Sequence, residues 1–451
     1  MNDEQRPVND EQQIRELLMT AAELPYDLQP PVARLLRQGQ RRRARRTTLM
    51  ATTAAVAVLA AGGIPAAVHA LRAAPGHPGG TRLFGPRPAA SAGPAAAQLA
   101  RFRWSKLPPS PLGKRDFPIV AWTGRELLEF GGLIKSGLAD DGAAFDPATG
   151  RWHRIAGIGS RHLGFAAAPS VWTGHQLFVS NGLLTGLYNP VANRWTQTRP
   201  PAAMYGLFIT AAVWTGRDVI VAGVGTNSNA GRLAVGAYNP ATGRWRMITP
   251  ALPAAHPAQF ADMTVTNTRL ILWSSWHRGS EHGTGVVKRS GVDVLALGAD
   301  GTWRDVTGRW PQHQQVSAPQ FTGTKILFSP GQIWCGAQCQ RSSPANDGYL
   351  ANPVTLARTT IPLGQLGQLN PTYIWTGRAI LAMNEATSLG SGGSKAIVSP
   401  GGTALFDAGT RRWRSLPHPP GYGHTGVLSA VWTGSELLVL ATKGQLLALH
   451  G

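Results

Sequence analysis

Short apolar stretches alternate with polar turns along most of the chain after residue 101. In the clearest unit, Phe117 to Trp122 and Glu126 to Phe130 are predicted strands on either side of a Thr-Gly turn. Ala143 to Asp146 and Arg151 to Ile155 are two further predicted strands, joined by the turn Pro147 to Gly150. Proline fixes φ, and glycine adopts a positive φ without steric cost, so this turn predicts a hairpin. One unit therefore predicts a four-stranded antiparallel sheet.

The unit repeats, because a Trp-Thr-Gly triplet returns before an apolar run. Two degenerate copies complete the series, so that seven copies follow one another at spacings of 42 to 57 residues. A period near 50 residues in β-rich sequence predicts a propeller. The copies begin at Trp122, Trp172, Trp214, Val265, Phe321, Trp375 and Trp432.

The second hairpin of the unit also returns, as an aromatic residue, Asp or Asn, a turn, and a Trp that opens the fourth strand. Copies lie at Tyr188 to Trp195, Tyr238 to Trp245 and Phe406 to Trp413, and the first unit has a double glycine, Gly131-Gly132. This order of elements resembles the kelch repeat and the central domain of galactose oxidases over roughly residues 101 to 451. The resemblance implies an all-β, seven-bladed propeller. It leaves the function open, since kelch propellers serve as binding modules, scaffolds and occasionally enzymes.

The two ends of the repeat region predict how the ring closes. The last repeat has its Trp-Thr-Gly triplet and two apolar stretches but no Arg-Trp strand of its own. Arg103 to Pro108, at the start of the region, matches Arg412 to Pro417. We expect this amino-terminal strand to complete the seventh blade and leave no free sheet edge.

An apolar segment precedes the repeats. Thr47 to Leu71 contains no charged residue and directly follows an arginine cluster, Arg41 to Arg46. At about 1.5 Å per residue it would cross a hydrocarbon core of roughly 30 Å, and the arginines predict a cytoplasmic amino end. We therefore expect a single-pass plasma-membrane protein with its propeller outside the cell. The alternative is a cleaved export signal, with Arg45-Arg46 as a twin-arginine motif and a cleavage site after Val68 to Ala70, giving a secreted protein.

Residues 1–46 are predicted to form a basic, helical cytoplasmic stub, because Asn9 or Asp10 is placed to cap an amphipathic helix that Pro25 ends. This front end resembles single-pass proteins and anti-sigma-like regulators of high-GC Gram-positive bacteria. A regulator that signals through the stub is therefore one alternative function. Residues 72–100 are rich in Ala, Pro and Gly, which predicts a linker before the propeller of residues 101–451.

The net charge of +20 changes the choice of partners. Arginines stand at equivalent places in the repeats, such as Arg151, Arg194, Arg244 and Arg412, so they spread charge around a ring. This pattern argues against nucleic acid as a partner and favours anionic lipid headgroups or acidic wall polymers. We expect a monomer.

The chain has two cysteines, Cys335 and Cys339. Outside the cytoplasm they are expected to form a local disulfide. A metal site is the less favoured reading, because Trp334 to Arg341 lacks further ligands. No metal and no cofactor are predicted.

Connection lengths separate two faces of the predicted ring. The turns between strands one and two and between strands three and four are short, whereas the remaining connections vary in length. The longest are Ser274 to Gly291, Pro330 to Gly348 and Asn384 to Gly402. Loops on a rigid scaffold often carry recognition, so we expect this face to bind a protein or glycan ligand.

Tryptophan positions narrow the candidates on that face. Eleven of the fifteen tryptophans occupy the two repeated positions, whereas Trp276 and Trp334 fall in the long connections. An aromatic side chain beside polar groups is a recognition anchor, although each Trp would equally serve to pin its own loop. The polar candidates near them are His277, Arg278, Glu281, His282 and Arg341.

A second group of candidates is expected at the rim of the central channel, either as ligand contacts or as solvated rim residues. These are Asp116, His162, Tyr205, Tyr422 and His424.

No catalytic residues are predicted. The chain lacks a Gly-x-Ser-x-Gly elbow, a phosphate-binding loop and a His-Glu-x-x-His motif. Copper-radical oxidases with kelch-like propellers need a tyrosine cross-linked to cysteine, but Tyr188 and Tyr238 belong to repeated hairpins. The sequence favours a binding or sensing module, with an exported enzyme acting on glycans or wall material as the alternative.

Overall fold

The computed structural model describes residues 102–159, 165–225, 230–280, 287–309, 319–328, 348–361, 372–376, 379–384, 388–389, 397–398, 402–407, 410–420 and 427–450. Within these ranges the chain forms seven four-stranded antiparallel sheets. Innermost strands contact each other between six of the seven pairs of neighbouring blades, including the first with the last, and an apolar cluster joins the remaining pair, blades five and six. The predicted seven-bladed propeller is confirmed.

Each blade contributes four strands in spatial order, from the innermost strand one to the outermost strand four. In blades one to four the strands are Ile119–Trp122, Leu127–Phe130, Gly142–Asp146 and Arg151–Ile155; Ser170–Trp172, Leu177–Ser180, Thr185–Asn189 and Arg194–Thr198; Leu207–Trp214, Val219–Gly225, Leu233–Asn239 and Arg244–Met247; Ala258–Val265, Leu270–Ser280, Val287–Leu297 and Trp303–Asp305. In blades five to seven they are Pro319–Phe321, Ile326–Phe328, Gly348–Ala351 and Arg358–Ile361; Thr372–Trp375, Ala379–Asn384, Gly402–Asp407 and Arg412–Leu416; Val427–Trp432, Glu436–Ala441, Leu446–His450 and Arg103–Leu107.

Smaller elements lie between these strands. Two-residue ribbons pair Leu133–Ile134 with Gly137–Leu138 in blade one, and Ser388–Leu389 with Ile397–Val398 in blade six. Short 3₁₀ helices cover Ala202–Met204, Thr307–Arg309 and Thr442–Gly444.

The ring closes as the sequence predicts. Arg103–Leu107 pairs antiparallel with Leu446–His450, from Arg103 opposite His450 to Leu107 opposite Leu446. Residues from the beginning and the end of the described chain therefore share blade seven. This pairing removes the edge that strand three of that blade would otherwise expose.

Apolar packing lies between blades. Seven buried clusters fill the described chain, one between each pair of neighbouring blades. In strand two of blade one, Leu127 packs towards blade seven and Leu128 towards blade two. Successive side chains of a strand point to opposite faces, so a sheet that is covered on both sides needs a continuous apolar run.

The threonine of the Trp-Thr-Gly triplet holds the turn between strands one and two. Thr215 Oγ1 accepts a hydrogen bond from the Asp218 N–H at 3.0 Å and donates one to the Asp218 carbonyl at 3.0 Å. The degenerate copies keep this geometry at Thr266 and Thr322. The hydroxyl, which is common to all copies, therefore explains the motif better than the Trp does.

The tryptophan that opens strand four joins adjacent blades. Trp195 Nε1 donates a hydrogen bond to the Ala156 carbonyl at 2.8 Å, just after strand four of the preceding blade. Trp104, Trp152 and Trp303 make the equivalent bond to the preceding blade. In blade three, the buried Trp245 Nε1 has no acceptor among the described residues.

The first strand of blade one is shorter than the sequence predicts. Phe117 has a φ of 54°, in the left-handed region, so the strand begins at Ile119. At the end of strand two, Gly131 and Gly132 also have positive φ, of 67° and 92°. The Gly132 N–H donates to the Phe165 carbonyl at 2.7 Å, and a side chain at Gly131 would collide with that carbonyl. The double glycine thus lets blade two's lead-in chain pass close to blade one.

No helix within the described ranges is long and apolar enough to span a membrane. The predicted stub, membrane segment and linker, residues 1–100, lie outside those ranges.

Candidate functional site

The topology defines two faces of the ring. The connections from strand one to two and from strand three to four lie at one face, which we call the turn face. The connections from strand two to three and between blades lie at the opposite face, which we call the variable face. This assignment follows from the strand order in every blade and agrees with the sequence prediction.

Blade four carries the longest strands on the variable face. Leu270–Ser280 and Val287–Leu297 have eleven residues each and stay paired from Leu270 opposite Leu297 to Ser280 opposite Val287. The predicted long loop from Ser274 to Gly291 is therefore wrong over its described residues, because 274–280 and 287–291 continue the sheet as two paired strands. Its Ser, Gly and Arg content is typical of a loop, but backbone pairing between the two strands makes it regular.

Trp276 lies within this hairpin and is partly buried. Its ring stacks on His256 at a centroid distance of 4.0 Å and an interplanar angle of 7°. It is paired across the sheet with Gly291 and fills the space that a side chain there would take. The indole N–H is buried without an acceptor among the described residues. These contacts fix the indole against its own hairpin.

His256 is held in turn by a buried carboxylate. Its Nδ1 lies 2.8 Å from Asp293 Oδ1, and the Asp293 side chain is only 5% exposed. Burial raises the pKa of Asp293, and the hydrogen bond from His256 opposes that rise. The imidazole is thus fixed by stacking on one ring and by bonding to one carboxylate. It remains 29% exposed.

Backbone contacts join this cluster to blade three. The Ala258 N–H donates to the Gly231 carbonyl at 3.0 Å, which bridges the two blades at the variable face. The neighbouring Arg232 donates from Nη2 to the Ala203 carbonyl at 2.6 Å, in the 3₁₀ helix that precedes Tyr205. We call Tyr205, Arg232, His256 and Trp276 the blade three–four platform. The His256 and Trp276 side chains contact each other, whereas Tyr205 and Arg232 belong to the platform by their position at the same junction of blades.

The platform includes two residues that the sequence singled out, Tyr205 and Trp276, and two that it missed. His256 precedes strand one of its blade, as His162 and His424 precede theirs, so its position was a usable signal. Asp293 sits between Val292 and Val294 in an apolar strand, where nothing in the sequence indicates a partner.

The remaining candidates are not brought to the platform by any described contact. Asp116 is exposed in blade one and exchanges two backbone hydrogen bonds with Leu133, of 2.9 and 2.7 Å. His277 and Arg278 continue the blade-four pairing, opposite Ser290 and Arg289, but their side chains lie outside the described part. Also outside it lie Glu281, His282, Trp334, Arg341, His162, Tyr422, His424, Cys335 and Cys339.

A second cluster of charge is buried in blade one. The Arg115 guanidinium donates to the Gly131 and Leu112 carbonyls at 2.7 and 2.9 Å and to Asp141 at 3.0 Å. It also lies 3.7 Å from Glu129, whose side chain is completely buried. Burial raises the pKa of Glu129, and the Arg115 charge opposes the rise. This cluster is enclosed and joins elements of the fold, so we assign it to structure.

Among the described residues, no group of three His, Cys, Asp or Glu side chains is arranged to hold a metal ion. No protein-family model matches the chain, and no curated protein matches its sequence. The features that point to a function are therefore the platform and the sequence that precedes the propeller.

Proposed function

We propose that the protein is a membrane-anchored propeller outside the cytoplasm that binds a protein or glycan ligand on its variable face. The observation that carries this proposal is the blade three–four platform. It combines aromatic rings, a cation and an imidazole on one rim of a rigid ring.

The chemistry of the platform suits recognition. His256 is oriented by Asp293 and Trp276, so little side-chain freedom is lost when its exposed edge meets a ligand. Arg232 is exposed and Tyr205 half-buried, so both offer hydrogen-bond donors at the same junction of blades. Rigid aromatic and arginine side chains of this kind anchor both peptide and sugar ligands.

The scaffold supports the platform mechanically. The Gly231 to Ala258 bridge couples blade three to blade four, and the blade-four hairpin reaches further along the variable face than the strands of blade two. Binding loops on a rigid scaffold are a common arrangement, because the ligand does not have to order them.

The location is supported by the sequence before the propeller. The uncharged segment of residues 47–71 follows six residues of which five are arginine. That pattern favours insertion with the amino end in the cytoplasm and the propeller on the other side.

Binding is tested with the full chain in detergent, on a glycan array and in pull-downs from cell-surface fractions. We expect saturable binding that falls at least about tenfold in His256→Ala and in Arg232→Ala, in line with the loss of interface anchors. Arg217→Ala, which removes an exposed turn-face cation, is the matched control and should bind as the wild type does. Thermal unfolding of each variant separates lost binding from lost fold. Equal binding by all the variants would contradict the platform as the site.

The location is tested separately in cells. The full chain should stay in the membrane fraction after alkaline carbonate washing, and protease added outside intact cells should cleave the propeller. Release by carbonate, or recovery of a shortened chain from the medium, would support the cleaved export signal instead.

A further inference from the structure

Exposed arginines form a ring on the turn face. Strand four of six blades begins with an arginine at the same position, directly after the turn from strand three in five of them. All six are exposed. They are Arg103, Arg151, Arg194, Arg244, Arg358 and Arg412.

Exposed cations in the turns between strands one and two add to this ring of arginines. Arg125, Arg217 and Lys325 follow the threonine of three strand one-to-two turns and are exposed. Every one of these side chains lies at the same face, because both kinds of turn meet there.

Acidic groups at that face do not cancel the charge. Asp146 is 11% exposed and lies 3.7 Å from Arg125. Asp218 is 3% exposed and bonds to Arg246 at 2.7 Å. These two carboxylates are turned inward.

Asp300, in the turn between strands three and four of blade four, is 49% exposed and bonds to Arg304 at 2.6 Å, and Glu126, Asp407 and Glu436 are half-buried. The nine exposed cations outnumber these acidic groups, so positive charge dominates what a partner at the turn face would meet.

Chain topology adds an independent constraint. Arg103 is the first residue of strand four in blade seven, and strand four starts at the turn face. The chain that precedes residue 102 therefore reaches the ring at the turn face. That preceding chain holds the predicted membrane segment of residues 47–71, so the basic face and the attachment point coincide.

We infer that the turn face rests on the anionic phospholipid surface of the membrane that holds the anchor, and that the variable face points away from it. The inference rests on the proposed anchor and extends it with an orientation. Basic side chains near such a surface each contribute about 1 kcal/mol, which corresponds to about fivefold in affinity per residue. The attraction acts within about one Debye length, roughly 8 Å at physiological salt.

The arrangement favours a surface over a linear polymer. The arginines stand one to a blade in six of the seven blades, so a flat sheet of headgroups reaches many of them at once. A single polyanion chain would have to follow the circumference to do the same.

The experiment reconstitutes the full chain into vesicles of phosphatidylcholine, with or without phosphatidylglycerol. In a background carrying Cys335→Ser and Cys339→Ser, a fluorophore is placed at Ala241→Cys on the turn face or at Gln259→Cys on the variable face, both exposed positions. Quenching by a headgroup-attached acceptor reports proximity to the membrane. We expect stronger quenching at residue 241, and only in the anionic vesicles at low salt.

Matched variants separate face from total charge. The triple variant Arg151→Gln, Arg194→Gln, Arg244→Gln should lose the phosphatidylglycerol-dependent quenching at residue 241. The control variant removes three exposed cations from the variable face and should retain the phosphatidylglycerol-dependent quenching at residue 241. Its substitutions are Lys114→Gln, Lys135→Gln and Arg199→Gln.

Different results would contradict the orientation of the propeller and the membrane anchor. Equal quenching at the two probes, or equal loss in both triple variants, with the chain still resistant to carbonate, would overturn the orientation and leave the anchor standing. Extraction of the chain by carbonate would overturn the anchor and with it the inference.

Discussion

The Glu129 carboxylate lies 3.7 Å from Arg115 Nε, on the side of blade one that faces blade seven. This is the interface that closes the ring. Glu129 stands six residues after the turn threonine, and the same position is apolar in the other six blades, at Val179, Val221, Leu272, Phe328, Ala382 and Val439. The closing interface alone among these positions has a buried ion pair in place of an apolar contact.

Removing the cation of this pair should destabilise the ring strongly. Arg115→Ala leaves Glu129 buried without a counter-charge, and such losses cost about 3–5 kcal/mol of unfolding free energy. The double variant Arg115→Met, Glu129→Val removes the buried charge and restores the apolar residue of the other blades at position 129. It should therefore be more stable than Arg115→Ala, although it still lacks the Arg115 hydrogen bonds to the Gly131 and Leu112 carbonyls. Urea unfolding measures both, and a double variant no more stable than Arg115→Ala would contradict this account.

Glu129 should also make stability depend on pH. Burial raises the pKa of this carboxyl in the folded state above its ordinary value of about 4.5. Its contribution to stability is therefore fully present below the ordinary pKa and is lost as the pH rises through the raised one. The wild type should thus lose stability relative to Glu129→Gln as the pH rises from about 4.5 towards neutrality.

Urea unfolding at several pH values gives this difference. Asp116→Asn, which removes an exposed carboxylate of the same blade, is the control and should track the wild type. A difference between wild type and Glu129→Gln that stays constant with pH would rule out the proposed titration.

The inter-blade tryptophan bond should be measurable by comparing two blades. Trp195→Phe leaves the Ala156 carbonyl without its donor, whereas Trp245→Phe removes an indole N–H that has no acceptor among the described residues. Both variants replace an indole by the smaller phenyl group, so they lose a similar apolar volume. We expect Trp195→Phe to cost about 1 kcal/mol more, the net value of a hydrogen bond. Thermal or urea unfolding gives the free energy of unfolding of both variants, and an equal loss in the two would argue against the inter-blade hydrogen bond.

The turn threonine should matter through its hydroxyl. Thr215→Ala removes the acceptor of the buried Asp218 N–H and should cost about 1–3 kcal/mol, the penalty for an unsatisfied buried donor. Thr215→Ser keeps the oxygen and should retain most of the stability. If serine were as damaging as alanine, the methyl group rather than the hydroxyl would explain the motif.

The candidate site was only partly predictable. Trp276 was singled out because it falls outside the repeated tryptophan positions, but its contacts join it to His256, in the connection before strand one, and to Gly291, in strand three. The spacing of these residues along the sequence does not predict that they contact one another. Tyr205 and Arg232 were likewise brought near the cluster only by the bridge between blades three and four.

The sequence by itself determined the seven blades, the turn chemistry and the closing strand at Arg103–Leu107, because each depends on local or repeated residues: apolar period, turn threonine, and a strand missing from the last repeat. The tertiary structure decided the rest. Whether Ser274 to Gly291 is a loop or a hairpin, and whether Glu129 and Asp293 are buried, depends on which distant strands are packed together. Burial and backbone pairing are properties of that packing, so they set the geometry and the pKa directions that no single segment encodes.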